Sequence, residues 1–258
     1  MSPPEIPADD RGLLLGDGLF ETLLAERGAL RRFEAHLARM TRGCAVIGIA
    51  APDPAAARAA AEAALAEAGL GGCRAAVRLT LTAGRGRGLE RPAEAAGRLI
   101  AQAFAAAAPE GPVRLATVQI RRNETSPLSR IKSLSYLDNV LARRQALALG
   151  AEEALLLNGR GELACAAAAN LFWVREGRLF TPALACGVLD GIVRGQVIAA
   201  AAAMEVEVVE GAEPPEALQG AEGAFLTNSL IGLRDVASLD GQPLRASRLA
   251  AELSSRCR

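Results

Sequence analysis

The chain has 258 residues, 51% of them apolar and 22% charged, with 29 basic and 29 acidic side chains. This is a globular composition with room for one large core or two modest domains, and it excludes a disordered chain. Zero formal net charge argues against a nucleic-acid binder relying on a broad basic surface, while leaving room for a local anion pocket.

The start, MSPPEIPADD, has no basic region followed by an apolar stretch, so no secretory signal is expected. Cys44, Cys73, Cys165, Cys186 and Cys257 are odd in number and form no CxxC pair. They predict neither a disulfide scaffold nor a zinc site, no metal is expected, and a cytoplasmic location is the default. The alanine-rich runs are interrupted by Glu, Arg and Gly, and none reads as a membrane span.

Residues 19–25 and 29–32 predict a hairpin turning at Arg27 and Gly28. A helix follows over 33–47, with Phe33, Leu37, Met40 and Cys44 on its apolar face. Asp53 caps a second helix running to about 68, and residues 74–82 alternate as a strand. Glycines 84, 86 and 88 make a loop carrying Arg85 and Arg87, and a third helix is expected over 92–108. Residues 113–120 read as a strand. The expected division is a small α/β domain over 1–121, an interdomain loop over 122–131 around Pro127, and a larger domain over 132–258.

In the larger domain a helix is expected over 133–149, ending at Gly150. Strands follow at 153–157, 162–165, 170–175 and 178–180, with turns at Gly159, Gly161 and Gly177. A helix over 191–203 comes after the turn ACGVLDG, and strands near 204–209, 223–227 and 233–238 finish the chain. A glycine-bearing turn leading directly into a helix presents unpaired backbone N–H groups, which suit a phosphate.

One residue stands apart by type. Lys132 is the only lysine among 29 basic side chains. Guanidinium is planar, permanently charged and a poor nucleophile, whereas a lysine amine can be desolvated and form an imine. The lone Tyr136 and Asn139 follow it closely. A lone lysine, a phosphate-ready helix start and a strand-rich second domain together point to pyridoxal 5'-phosphate, held by its phosphate and by an imine to Lys132.

The motifs agree with that reading. Gly16-Asp17-Gly18-Leu19-Phe20-Glu21-Thr22, His36-Leu37-Ala38-Arg39, Ile131-Lys132-Ser133-Leu134 and Tyr136-Leu137-Asp138-Asn139 come in order. Glu153-Ala154-Leu155-Leu156-Leu157, Asn170-Leu171-Phe172, Thr181-Pro182, Leu189-Asp190-Gly191-Ile192-Val193-Arg194 and Phe225-Leu226-Thr227-Asn228-Ser229-Leu230 follow. In this order and spacing the chain resembles the class IV aminotransferases, the fold-type IV pyridoxal-phosphate enzymes. The resemblance implies an α/β (α+β) fold, with a small N-terminal α/β domain and a larger strand-rich pseudo-barrel. It implies Lys132 as imine lysine and general base, and Arg39 on the cofactor phosphate. It also implies the backbone at Ile192 and Val193 capping that phosphate, Thr227 or Asn228 completing the cup, and Tyr136 near the cofactor. A homodimer acting on a small-molecule substrate is implied too, while His36 is expected to pack and orient.

Within the family, FETLL at 20–24, GRGRGL at 84–89, ANLFW at 169–173 and TNSL at 227–230 resemble aminodeoxychorismate lyases. That resemblance implies a lyase yielding 4-aminobenzoate and pyruvate, with Thr22 near the substrate and Arg85 and Arg87 meeting its two carboxylates. The same arginines would also suit a solvated basic loop. IKSLSYLDN at 131–139 reads more like D-amino acid or branched-chain aminotransferases, so a transaminase is the alternative. One departure matters more: five residues before Asn170, where the family has a glutamate for the pyridine nitrogen, stands Cys165. A thiol cannot hold a pyridinium as a carboxylate does. This tilts the reading toward elimination, in which the leaving group drains the electrons, and it also admits a diverged relative with weak catalysis.

Overall fold

The computed structural model describes residues 5–257. The chain divides into two compact units. One runs to Ala108 and takes back Ile131–Ser135; the other comprises Pro109–Arg130 and the chain from Tyr136 onward.

The first unit opens with α1 (Arg11–Leu15), whose first turn is capped by the Asp10 carboxylate accepting from the Gly12 amide. β1 (Gly18–Glu26) turns through Arg27 and Gly28, at φ 51° and 79°, into the short β2 (Ala29–Leu30). Two consecutive left-handed residues match the right-handed twist of a hairpin, as the sequence predicts. α2 (Phe33–Ile47), α3 (Pro54–Glu67), β3 (Arg74–Thr82) and β4 (Arg98–Ala105) complete an antiparallel sheet of order β2-β1-β3-β4. Asp53 caps α3 by accepting from the Ala56 amide at 2.8 Å, a cap of about 1 kcal/mol. Alternate residues of β1 and β3 (Leu19, Leu23, Val77, Leu79, Leu81) pack on Phe33, Met40, Ala57, Ala61 and Leu65 of the two helices.

Two expectations fail in this unit. Residues 92–108 do not form a helix: after Pro92 and Gly97 the chain runs as β4, in register with β3 from Thr82–Arg98 to Ala75–Ala105. Alanine prefers a helix by only tenths of a kcal/mol per residue, and a full ladder outweighs that. Lys132 also does not open a helix. Residues 131–135 run along the edge of β1, with the Phe20 amide donating to the Lys132 carbonyl at 2.9 Å and the Leu134 amide to Gly18 at 3.0 Å. Edge amides of β1 would otherwise lack strand partners, and satisfying them takes precedence over starting the helix early.

The second unit carries β5 (Val113–Arg122), α4 (Leu137–Ala148), β6 (Glu153–Asn158), β7 (Leu163–Ala166), β8 (Asn170–Arg175) and β9 (Arg178–Pro182). It continues with α5 (Ile192–Ala203), β10 (Val208–Gly211), β11 (Gly223–Asn228), β12 (Gly232–Leu239), β13 (Gln242–Pro243) and α6 (Arg248–Arg256). The sheet has the order β10-β9-β8-β11-β12-β5-β6-β7, with β13 on β12. β5 pairs in parallel with both β6 and β12. The chain therefore enters this unit at Pro109, ahead of the boundary near 121 read from the sequence.

The faces divide by strand parity. Leu171 and Trp173 of β8 point into a core with Leu155, Leu157, Phe180 and Leu218. Phe172 and Val174 point the other way, under Val193, Val197 and Ala201 of α5. Phe172 stacks on Phe225 of β11 at 5.1 Å between ring centroids. Ala142 and Ala146 let α4 settle closely on Ala154 and Leu156.

Candidate active site

In the first unit the strand pairing sets the lysine beside β1. Lys132 is half-buried, and its Nζ lies 4.2 Å from the centroid of the Phe20 ring. The guanidinium of Arg78 lies 3.9 Å from the same centroid. Thr22 is half-buried on the same face as Phe20 and stands in register with Arg78. The amine, Thr22 and Arg78 are thus brought to one side of the sheet, away from the helices.

The opposite face of β1 holds a carboxylate in an otherwise apolar row. Glu21 is buried, accepts from Arg39 Nε at 2.8 Å and Nη2 at 2.6 Å, and meets His36 Nδ1 at 2.7 Å. Burial opposes its charge, but Arg39 and His36 outweigh it and draw the carboxyl down to about 2. Burial pushes His36 below its usual value, against Glu21, so the ring is neutral at pH 7. Arg39, expected on a phosphate, has its fork set by Glu21, and His36 is buried against the same carboxylate.

The glycine loop separates the two arginines it carries. Arg85 is exposed and donates to Asp9 at 2.8 Å. Arg87 is exposed as well. The loop is anchored from beneath by the buried Arg11, which donates to the carbonyls of Gly88, Leu89 and Glu90.

In the second unit, parity brings Asn170 and Thr227, partners across β8 and β11, to the α5 face. Asn170 donates to the Leu189 carbonyl at 2.9 Å. A Cβ on Gly191 would run into the Asn170 amide oxygen, so a larger residue there would displace that side chain. Gly191 gives α5 no side-chain cap, and the helix start at Ile192 and Val193 offers backbone donors. The buried Thr227 hydroxyl has no hydrogen-bond partner among the described residues. Asn228 is already engaged, donating to the Ala168 carbonyl between β7 and β8 and accepting from the Leu230 and Ile231 amides of its own turn, at 2.9 Å each. Of the two residues expected to complete the cup, Thr227 has the hydroxyl to give. An orphaned hydroxyl beside an uncapped helix start suits a phosphate monoester.

Cys165 is buried with Ala164, Cys186 and Val188, and burial raises its thiol pKa, so it is a neutral thiol at physiological pH. A register shift separates the Leu156–Cys165 and Leu157–Leu163 pairs, so strand parity does not decide where Glu162 points. Its hydrogen bonds do. Glu162 accepts from Asn158 and Arg160, both at 2.7 Å, which ties it into the β6–β7 turn. Tyr136 ends the connection into α4, its hydroxyl 3.3 Å from the Ala167 carbonyl, which Asn139 also engages at 2.7 Å.

Residues 18–239 match the family model described as amino-transferase class IV. The chain belongs to the class IV aminotransferases. A "Putative branched-chain-amino-acid aminotransferase" of Methanocaldococcus jannaschii is 32% identical over 242 residues, covering 90% of this chain and 82% of that protein. An aminodeoxychorismate lyase of Vibrio harveyi is 26% identical over 240 residues, covering 91% and 87%. The crystal structure of a "Putative 4-amino-4-deoxychorismate lyase" from Legionella pneumophila superposes with a TM-score of 0.89 at 29% identity, covering 97% of this chain and 93% of that one. The fold is therefore that of the fold-type IV enzymes, and this class IV chain has relatives of both reaction types. Sequence reading missed Arg78 and Glu21. The alternation in RAAVRLTLT puts Arg78 on the face opposite Leu79, and that is the signal that could have found it.

Proposed function

We propose that this class IV aminotransferase homologue binds pyridoxal 5'-phosphate and acts as a lyase on 4-amino-4-deoxychorismate, releasing 4-aminobenzoate and pyruvate. The unpartnered Thr227 hydroxyl and the uncapped start of α5 fit the phosphate. Lys132 Nζ would hold the cofactor covalently, the backbone amides of Ile192 and Val193 would meet its phosphate, and Arg39, already paired with Glu21, and Tyr136 are the further residues that the resemblance assigns to it. When bound, the cofactor supplies a carbonyl for the substrate amine and a conjugated ring that takes up electron density. The residues of the chain do the rest. Lys132 Nζ would take the proton from the substrate carbon bearing the amine. Thr22 and the loop arginines orient the carboxylates, Arg87 above all because Arg85 is engaged by Asp9. One C–O bond breaks, a proton is moved, and no oxidant or reductant is consumed.

The observation that carries the lyase reading is Cys165. A buried neutral thiol occupies the position where the resemblance implies a carboxylate, and Glu162 is tied elsewhere. A reaction that ends in an aromatic product and a departing pyruvate relies least on that carboxylate. Similarity to the branched-chain-type relative supports transamination as the second reading.

Incubation with 4-amino-4-deoxychorismate should release pyruvate, read by lactate dehydrogenase, together with fluorescent 4-aminobenzoate. Lys132→Ala should abolish both while leaving the fold intact. Neither product, with steady keto-acid exchange from D-alanine or L-leucine, would move the protein to the transaminases.

A further inference from the structure

Arg122, at the end of β5, is a half-buried guanidinium with no carboxylate partner. Nε donates to the Gly187 carbonyl at 3.2 Å, Nη2 to the Ser129 carbonyl at 2.7 Å, and Nη1 reaches the Asn139 amide oxygen at 3.5 Å. All three acceptors are neutral, and among the described residues it forms no ion pair. Buried or half-buried cations are ordinarily matched by an anion, because desolvation removes the screening that water would supply.

The surrounding acids are bound to other groups. Glu153 is held by Arg143 and by the Ala154 amide; burial raises its pKa, and those two contacts oppose the rise. Glu162 is held by Arg160 and Asn158, and Glu124 by Arg160 and the Gly159 amide. Gly187, whose carbonyl Arg122 grips, lies between Cys186 and Val188, which pack on Cys165. Arg122 therefore stands over the cluster that contains Cys165, and its charge acts on that thiol against the effect of burial.

We propose that Arg122 and Cys165 form one electrostatic unit, in which the uncompensated guanidinium keeps the cofactor's ring nitrogen unprotonated and a carboxylate at 165 would reverse that state. This rests on the cofactor reading above and adds a residue to it. A cation near a pyridine nitrogen disfavours its protonated form, and a neutral thiol does nothing to restore it. A carboxylate at 165 would have Arg122 as a ready partner, so it would not be an unpaired buried charge. Arg122 acts through its field and touches no reacting atom, so it is a positioning residue.

Two measurements test this. The first needs no cofactor: the full chain is melted as wild type, Cys165→Glu, Arg122→Gln and the double variant. We expect Cys165→Glu alone to stay within a few degrees of wild type. In the Arg122→Gln background the same change should cost roughly 6 °C or more beyond that, as expected for a buried charge left without its partner. An equal cost of the glutamate in both backgrounds overturns the pairing.

The second uses pyridoxal 5'-phosphate labelled with 15N in the ring, bound to the holoprotein and observed by NMR between pH 6 and 8. Wild type should show an unprotonated pyridine nitrogen and Cys165→Glu a protonated one. A protonated nitrogen in wild type, or an unchanged shift in the variant, overturns the assignment. If wild type binds no cofactor, the reading it rests on fails and the ring-nitrogen assignment falls with it. The melting comparison then still decides whether Arg122 pairs with an acid at 165.

Discussion

At the scale of the residue, Glu21 shows how neighbours decide a charge. Its place in β1 is in the row of Leu19 and Leu23, where an isolated carboxylate would be neutralised by burial. Arg39 and neutral His36 reverse that outcome and hold it ionised with its carboxyl near 2. A depressed carboxyl value means that the unfolded chain binds the proton first. The stabilisation is thus complete above about 4.5 and is lost as pH falls toward 2. His36, depressed as well, adds a penalty once pH falls below its ordinary 6.5, since only the unfolded ring then charges freely. Glu21→Gln should lower stability at pH 7 by about 3–5 kcal/mol, the cost of breaking a buried pair. In urea titrations the deficit should shrink as pH falls from 4.5 toward 2. A deficit of the same size at both ends of that range would show that the charge does not matter. FETLL and HLAR are both visible as motifs, yet nothing in the linear chain says that Glu21 binds the arginine of the second.

At the scale of the element, α5 and β11 would make the proposed phosphate site only together. The helix brings backbone donors and no side-chain cap; the strand brings a hydroxyl with no partner. Thr227→Val keeps the shape and removes an unsatisfied buried group, so the chain without cofactor should be as stable as wild type or more so. Binding of pyridoxal 5'-phosphate should weaken about 10-fold, the loss of one hydrogen bond to a charged group, whereas pyridoxal without the phosphate should bind as before. Absorbance titration with the two aldehydes reads this directly. Equal losses for both would remove Thr227 from the phosphate cup. A helix start at 191, one residue ahead of α5, and the strand at 223–227 are readable from the turn ACGVLDG and from alternation. Their adjacency was not, because it depends on Phe172 and Phe225 stacking beneath the helix.

At the scale of the molecule, α4 turns an apolar stripe outward. Leu137 and Leu147 are 66% and 58% exposed, with Val140 between them, and Leu149 follows just beyond the helix. Its inner residues, Ala142 and Ala146, are already committed to the sheet. A stripe of this size on an exposed helix face suits a second copy of the chain, in line with the homodimer that the resemblance implies. Light scattering should give twice the chain mass, and Leu137→Asp combined with Val140→Asp should shift the protein toward a single chain. A wild-type protein of single-chain mass at micromolar concentration would remove the dimer.

The sequence by itself determined the class of fold, most of the strands and helices, the cofactor chemistry and the identity of Lys132 as the distinctive amine. The elements and the amine are local or compositional properties: a 2-residue or 3.6-residue period, a glycine turn before a helix, one lysine among many arginines; the fold type and the cofactor site are what the ordered motifs imply by resemblance. Only the tertiary structure decided that 98–105 is a strand, because pairing with β3 outweighs the helix preference of its alanines. Only there does Lys132 become an edge partner of β1 and not the mouth of a helix, because amides at a sheet edge need acceptors that lie more than a hundred residues away. The same holds for Arg122: its charge is visible in the chain, but its lack of a carboxylate partner among the described residues depends on where the nearby carboxylates have gone.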